Sequence, residues 1–158
     1  SYPGVDYEQN YEEGILVGYR WHDTIGIDAE FAFGHGLSYT DFSIKGIAVD
    51  TLEYHSDDDI RIALSISNTG TMAGAEVVQV YVGKPNSKVH RAKKELKGFK
   101  KVALKPSETK QITIDIPVSD LKYYDPNRAK WHLEKGVYHL FVGTASDTIL
   151  KKIKIRIR

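Results

Sequence analysis

The chain has 158 residues, a formal net charge of +1 and no cysteine. That length can bury a hydrophobic core without covalent staples, and the lack of cysteine excludes disulfides and thiolate metal sites. No apolar run approaches the roughly 20 residues that cross a bilayer as a helix, so no membrane partner is expected.

The charge is unevenly spread. Residues 1 to 59 carry 13 acidic and 2 basic side chains, whereas residues 60 to 158 carry 8 acidic and 20 basic ones. An acidic leader beside a basic body implies that the two attract, or that each faces a different partner.

The first residues, SYPGVDYEQNYEEG, lack the basic start and apolar centre of a signal peptide and read as the interior of a longer protein. Residues 1 to about 30 hold neither strand nor helical periodicity for long and are expected to form an extended arm docked on something else. Glu12 and Glu13 are adjacent, and in an extended strand they would point to opposite faces. Tyr19, Trp21 and His22 form the richest aromatic cluster. Sugars stack on such rings, but the same residues also anchor a docked arm, and anchoring is the expectation here.

FAFGHGLSYT, residues 31 to 40, places Gly34, His35, Gly36 and Ser38 close together. A dinucleotide loop would need a third glycine and a following helix. A nucleophile elbow would need glycine on both sides of the serine, and Ser38 lies between Leu37 and Tyr39. The stretch therefore reads as a bend, with Phe31, Phe33, Leu37 and Tyr39 as apolar anchors and a strand starting at Phe42.

From Phe42 the period changes to two. Ile60, Ile62, Leu64 and Ile66 alternate with Arg61, Ala63, Ser65 and Ser67, the pattern of a strand with one buried face. Asn68, Thr69 and Gly70 supply a turn. Val77 to Val82 is apolar on both faces and suits a central strand. Pro106, Ser107 and Glu108 make another turn before Ile112, Ile114 and Ile116, and Pro117 ends that strand by removing a donor. Ser119 to Tyr124 is expected to form one short helical turn capped by Ser119, and no other stretch sustains a helical pattern. The last strand sets Ile153, Ile155 and Ile157 against Lys152, Lys154, Arg156 and Arg158. Seven or eight short strands with frequent turns predict an all-β fold, an antiparallel sandwich of the immunoglobulin or fibronectin type III kind with an extended N-terminal arm.

A two-residue turn at Lys135 and Gly136 would make AKWHLEKGVYHLFVG a hairpin. Leu133 would then face Tyr138, Trp131 would face Leu140, and His132 and His139 would sit side by side and depress each other's pKa. Asp57, Asp58 and Asp59 lack the spacing and glycine bend of a calcium loop. No metal or cofactor is expected. KVHRAKKELKGFKK, residues 88 to 101, holds seven Lys or Arg against one Glu. With little aromatic interleaving it reads as a solvated loop and strand edge rather than a nucleic-acid surface.

Five segments in order, YEEGILVGYRWHD, FAFGHGLSYTDF, NTGTMAGAEVVQVYVG, KELKGFKKVALKPSET and LEKGVYHLFVG, resemble the C-terminal end of family 3 glycoside hydrolases. These are the β-glucosidases and β-xylosidases with a fibronectin type III-like third domain. The family often has Pro within the stretch matching Ala29 to Phe33, and Pro at the position of Ala92. The resemblance implies that residues 1–40 are the tail of a preceding α/β domain and its linker, and that 41–158 form the fibronectin-like domain.

It also implies a non-catalytic, buttressing role, because the family's aspartate nucleophile and general acid lie upstream. A Ser-Asp-Trp run often marks that nucleophile, and Ser56-Asp57, Ser119-Asp120 and Ser146-Asp147 are each followed by another residue. No catalytic residue is therefore assigned. The catalytic domains of a parent glycosidase are the expected partner. The loop around Val89, His90 and Arg91 is a candidate for contact with the sugar-pocket rim or a neighbouring subunit, and His35 for contact with a partner domain. A free-standing carbohydrate-binding module is the alternative, and an exposed aromatic platform would distinguish it.

Overall fold

The computed structural model describes residue 8 and residues 10 to 158; the expectations for the first residues of the arm lie outside these. Among the described residues, strands run in the order β1 (Phe42–Val49), β2 (Glu53–Tyr54), β3 (Asp59–Asn68), β4 (Gly74–Gly83), β5 (Glu95–Leu104), β6 (Thr109–Pro117), β7 (Tyr123–Asp125), β8 (Lys130–His132), β9 (Gly136–Gly143) and β10 (Ile149–Ile157). A short helix α1 (Tyr19–Ile25) precedes them, and a 3-10 turn, Val118–Leu121, follows β6.

Period-two alternation decides which faces meet. In β3, Ile60, Ile62, Leu64 and Ile66 are buried while Arg61 and Ala63 are exposed, and β6 repeats this with Ile112, Ile114 and Ile116. Together with β1 they form a three-stranded sheet, ordered β1-β3-β6. The second sheet is ordered β2-β10-β9-β4-β5, and its Val78, Val80, Tyr138, Leu140, Val142 and Ile155 join the isoleucines of the first in one core. This is the sandwich that the alternation predicts. Its ladders are antiparallel apart from the two-residue parallel pairing of β2 with β10. Gly98 leaves room for the facing sheet: a Cβ there would lie 2.8 Å from Ile114 Cγ2.

Asn68 shows how a polar side chain is paired inside a dry core. Asn68, at the end of β3, accepts from Thr40 Oγ1 at 2.7 Å and donates to Met72 O at 2.7 Å and Leu104 O at 3.3 Å. Thr40 is thereby fixed just before the first strand begins at Phe42. β5 is an edge strand, and Lys100 and Lys101 stand exposed on it, where lysines discourage further strand pairing.

Three local expectations are corrected. The hairpin at Lys135 and Gly136 does not form. β8 pairs instead with β7, His132 opposite Tyr123, and β9 has both edges occupied, by β4 and by β10. A strand with both ladders filled has no donors left for a third neighbour. Glu134 also turns inward, its carboxylate accepting from Ser87 Oγ at 2.7 Å and Lys88 N at 2.9 Å. Secondly, the 3-10 turn at Val118–Leu121 starts after Pro117 with no side-chain cap, and Ser119 Oγ bonds Asp120. Thirdly, Glu12 and Glu13 lie in a turn rather than a strand, closed by Gly14 N donating to Tyr11 O at 3.1 Å and Leu16 N to Glu13 O at 2.8 Å.

Candidate functional site

The arm is not wholly extended. α1 occupies Tyr19–Ile25 and is stopped by Gly26 in the left-handed conformation, φ 75°. It carries no apolar stripe because its contacts to the sandwich are largely polar. Tyr19 and Asp23 are four residues apart and so share a face. Tyr19 Oη accepts from Leu96 N at 2.8 Å, and Asp23 pairs with Lys94. Thr24 Oγ1 accepts from Lys93 N at 3.5 Å. Lys94 and Asp23 join the basic body to the acidic leader, so part of the charge asymmetry is spent on attaching the arm.

Where α1 lands, the outer face of β4 is buried as deeply as its inner face. Tyr81 is fully enclosed. Tyr19 stands edge-on to it at 5.6 Å, and Phe33 lies 5.0 Å from Tyr19. Farther along, Ser146 N donates to Phe33 O at 2.8 Å. Gly34, at φ +86°, passes so close to Gln79 that a Cβ would collide with the Gln79 amide. Both the positive φ and the close approach demand glycine. The FAFGHGLSYT bend is thus fixed by glycine and backbone bonds.

Of its four expected apolar anchors only Phe33, 5.0 Å from Tyr19, serves as one. Leu37 is 95% exposed, Tyr39 94% and Phe31 70%. Ile15, Val17 and Ile27 are also exposed. Among residues 10–40, Leu16 is buried and Tyr19, Asp23, Thr24, Phe33 and Thr40 make contacts to the sandwich, while several large apolar groups point outward.

The other candidate residues lie in separate places. Tyr19 and His22 line a hollow of about 510 Å³ with Phe31, Phe33 and Ser146, and His22 Nδ1 lies 3.2 Å from Ile27 O. Trp21 is half-buried. His35 is exposed beside Phe31, 5.3 Å between ring centres. In the loop after β4, Val89 is half-buried and His90 exposed. Arg91 is turned inward: Nη2 donates to Leu121 O at 3.2 Å and lies 3.8 Å from Glu95, and the guanidinium sits over Tyr123. Arg91 therefore braces the loop from within.

The loop is also held by Glu134. Burial alone would raise its pKa, but the bonds from Ser87 and Lys88 and the charges of Lys84 and Arg91 outweigh that and lower it. Tyr138 Oη donates to Glu134 O at 2.6 Å, and burial pushes the Tyr138 phenol up to about 12. Sequence reasoning missed Glu134, which sits in the misassigned turn. It also missed Tyr124 and Trp131, an opposed pair on the β7–β8 hairpin; the Asp125-Pro126-Asn127 turn signal between two aromatic runs was the available clue. Asp58 Oδ2 accepts from His55 N at 2.6 Å, so this member of the aspartate run shapes the turn into β3.

A model of the fibronectin type III-like domain matches residues 76–146. Thermostable β-glucosidase B of Acetivibrio thermocellus is 41% identical over 157 residues, covering 99% of this chain and 21% of its own. An exo-α-(1→6)-L-arabinopyranosidase of Bifidobacterium breve is 39% identical over 155 residues, covering 98% of this chain and 20% of its own. Among solved structures, a GH3 β-glucosidase of Bifidobacterium adolescentis superposes with a TM-score of 0.88 at 36% identity, over 99% of this chain and 23% of that one. The chain thus spans about a fifth of the length of the curated relatives it matches. By sequence and by fold, it corresponds to the fibronectin type III-like region of family 3 glycoside hydrolases.

Proposed function

We propose that this chain is a non-catalytic accessory region of a larger glycosidase of the β-glucosidase type, and that its arm docks on the catalytic domains. In this reading residues 1–40 are the tail of an α/β domain and its linker, and 41–158 are the buttress. The observation that carries it is the exposure of Leu37, Tyr39 and Phe31 on an arm whose own path is rigidly set. Large apolar groups held outward within nine residues of one another in sequence mark a segment meant to be covered. A partner bearing apolar side chains would cover them, with His35 beside Phe31.

Sugar specificity then belongs elsewhere in the protein. Two relatives of nearly equal identity, 41% and 39%, are named for different sugars, as expected if this region supports catalysis without choosing the substrate. The family's nucleophile and general acid would come from the other domains. His90, exposed on a loop braced by Arg91 and Glu134, remains the candidate for contact with a sugar-pocket rim or a second subunit.

Hydrogen exchange tests the docking directly. Amides of residues 31–39 are expected to exchange quickly in the isolated chain and slowly in the full-length protein. Leu37→Asp with Tyr39→Asp should lower the thermal midpoint of the full-length protein while leaving that of the isolated chain unchanged. Equal exchange in the two contexts would refute docking through this face. The isolated chain is expected to leave nitrophenyl β-glucosides intact.

A further inference from the structure

We infer that the β7–β8 hairpin is a saccharide-binding site, in which Trp131 and Tyr124 stack on the pyranose rings of a β-linked oligosaccharide. The two residues oppose each other across the hairpin. Their rings meet edge-to-face at 5.8 Å, so each fixes the other's orientation. Yet Trp131 remains 66% exposed and Tyr124 52%. Neither serves the core, and both present ring surface to solvent.

The surroundings favour a sugar over a protein partner. Trp131 lines two hollows, one of about 590 Å³ shared with Leu96, Lys97, Ser119 and Lys122. The other, of about 570 Å³, is shared with Tyr124, Asp125, Asn127 and Lys122. A ring between two hollows can serve consecutive units of an oligosaccharide. A β-linked pyranose with equatorial hydroxyls has an apolar C–H face for the aromatic ring and a rim of hydroxyls around it. Lysine, carboxylate, hydroxyl and amide groups at the edge of such a ring match that rim, following the general pattern of apolar wall and few convergent polar groups. Ile15 of the arm also lines the second hollow, whereas Phe31, Leu37 and Tyr39 line neither, so the docking face at residues 31–39 is a different surface.

Affinity electrophoresis of the 158-residue chain in gels containing soluble mixed-linkage β-glucan or xylan provides the test, with dextran as an α-linked control. Wild type should be retarded by at least one β-linked polymer and not by dextran. Trp131→Ala and Tyr124→Ala should each weaken the retardation about ten-fold, the order expected for losing one aromatic contact. Phe99→Ala removes a comparably exposed ring, 67%, from β5 and should change nothing. Trp131→Phe, which keeps an aromatic ring, should retain partial binding and guards against a folding artefact. In an NMR titration with a cello-oligosaccharide, the Trp131 indole N–H should shift and that of Trp21 should not. Wild-type mobility equal in all gels, or full retardation of both alanine variants, would overturn the assignment. Either result would leave the docking of the arm untouched, because exchange at residues 31–39 reads that separately.

Discussion

Tyr81 and Gln79 lie on the face of β4 that points away from the core, yet they bond to each other there, the phenol donating to Gln79 Oε1. The Gln79 amide in turn donates to Thr144 O at 2.5 Å. A polar pair of this kind belongs where water is excluded. The arm is what excludes it, so the arm is part of the folded unit and not an appendage.

Gly34→Ala should show how tightly the arm and this pair are fitted. The new Cβ would meet a Gln79 side chain that cannot swing aside without breaking its bonds to Tyr81 and Thr144. Positive φ adds strain of its own. A loss of about 2–3 kcal/mol is expected in chemical denaturation. Gly36→Ala, with open space at its Cβ, should be close to neutral.

Tyr19→Phe and Tyr19→Ala separate two contributions of α1. Phenylalanine keeps the ring against Tyr81 and Phe33 but leaves Leu96 N without its acceptor, a loss of about 1 kcal/mol. Alanine removes the ring as well and should cost about 3 kcal/mol. Hydrogen exchange of residues 19–25 should accelerate in the alanine variant, while β3 and β6 stay protected. Uniform acceleration across the molecule would mean that the arm and sandwich unfold together.

The sandwich was legible in the sequence because burial there follows a period of two, and Ile60 to Ile66 or Ile112 to Ile116 admit one reading. The family was legible because five spaced segments agree in order. What escaped notice depends on contacts between distant residues. α1 is held by Tyr19 and Asp23 reaching residues some 70 positions away, and neither contact leaves an apolar rhythm. Phe31, Leu37 and Tyr39 look like anchors in sequence, since hydrophobicity alone cannot say whether the surface that covers a residue belongs to the same domain. The turn at Lys135 and Gly136 obeyed local rules and failed because β4 and β10 already occupy both edges of β9. One polar residue did carry a signal: Gln79, alone in VVQVYV, marks the place where a strand is covered on its second face.

Glu134 makes the loop after β4 sensitive to acid. Its folded pKa is lowered, so its contribution is fully present above the ordinary glutamate range and disappears as pH falls through the folded value. Glu134→Gln keeps the shape but weakens the bonds to Ser87 and Lys88. It should destabilise the chain by about 1–3 kcal/mol at neutral pH. Below roughly pH 5 the wild type should lose stability faster than the variant, and the two denaturation curves should converge. A constant difference across the acid range would show that the carboxylate's charge is not what holds the loop.

His139 replaces the pair of imidazoles expected from sequence. Its pKa is lowered first by burial and then by Lys152 and Lys154 on β10. Lys154 is its direct cross-strand neighbour, whereas His132 meets Tyr123 of another sheet edge-to-face at 5.5 Å. A histidine with a depressed folded pKa stabilises the fold above its unfolded value and ceases to do so as pH falls through the folded one. NMR titration should find His139 below the ordinary imidazole range. Lys152→Gln with Lys154→Gln should move it part of the way back, the remainder being the burial that those substitutions leave in place. His132→Ala should leave it where it is. A response to His132→Ala instead would restore the discarded hairpin register, since only that register sets the two rings side by side.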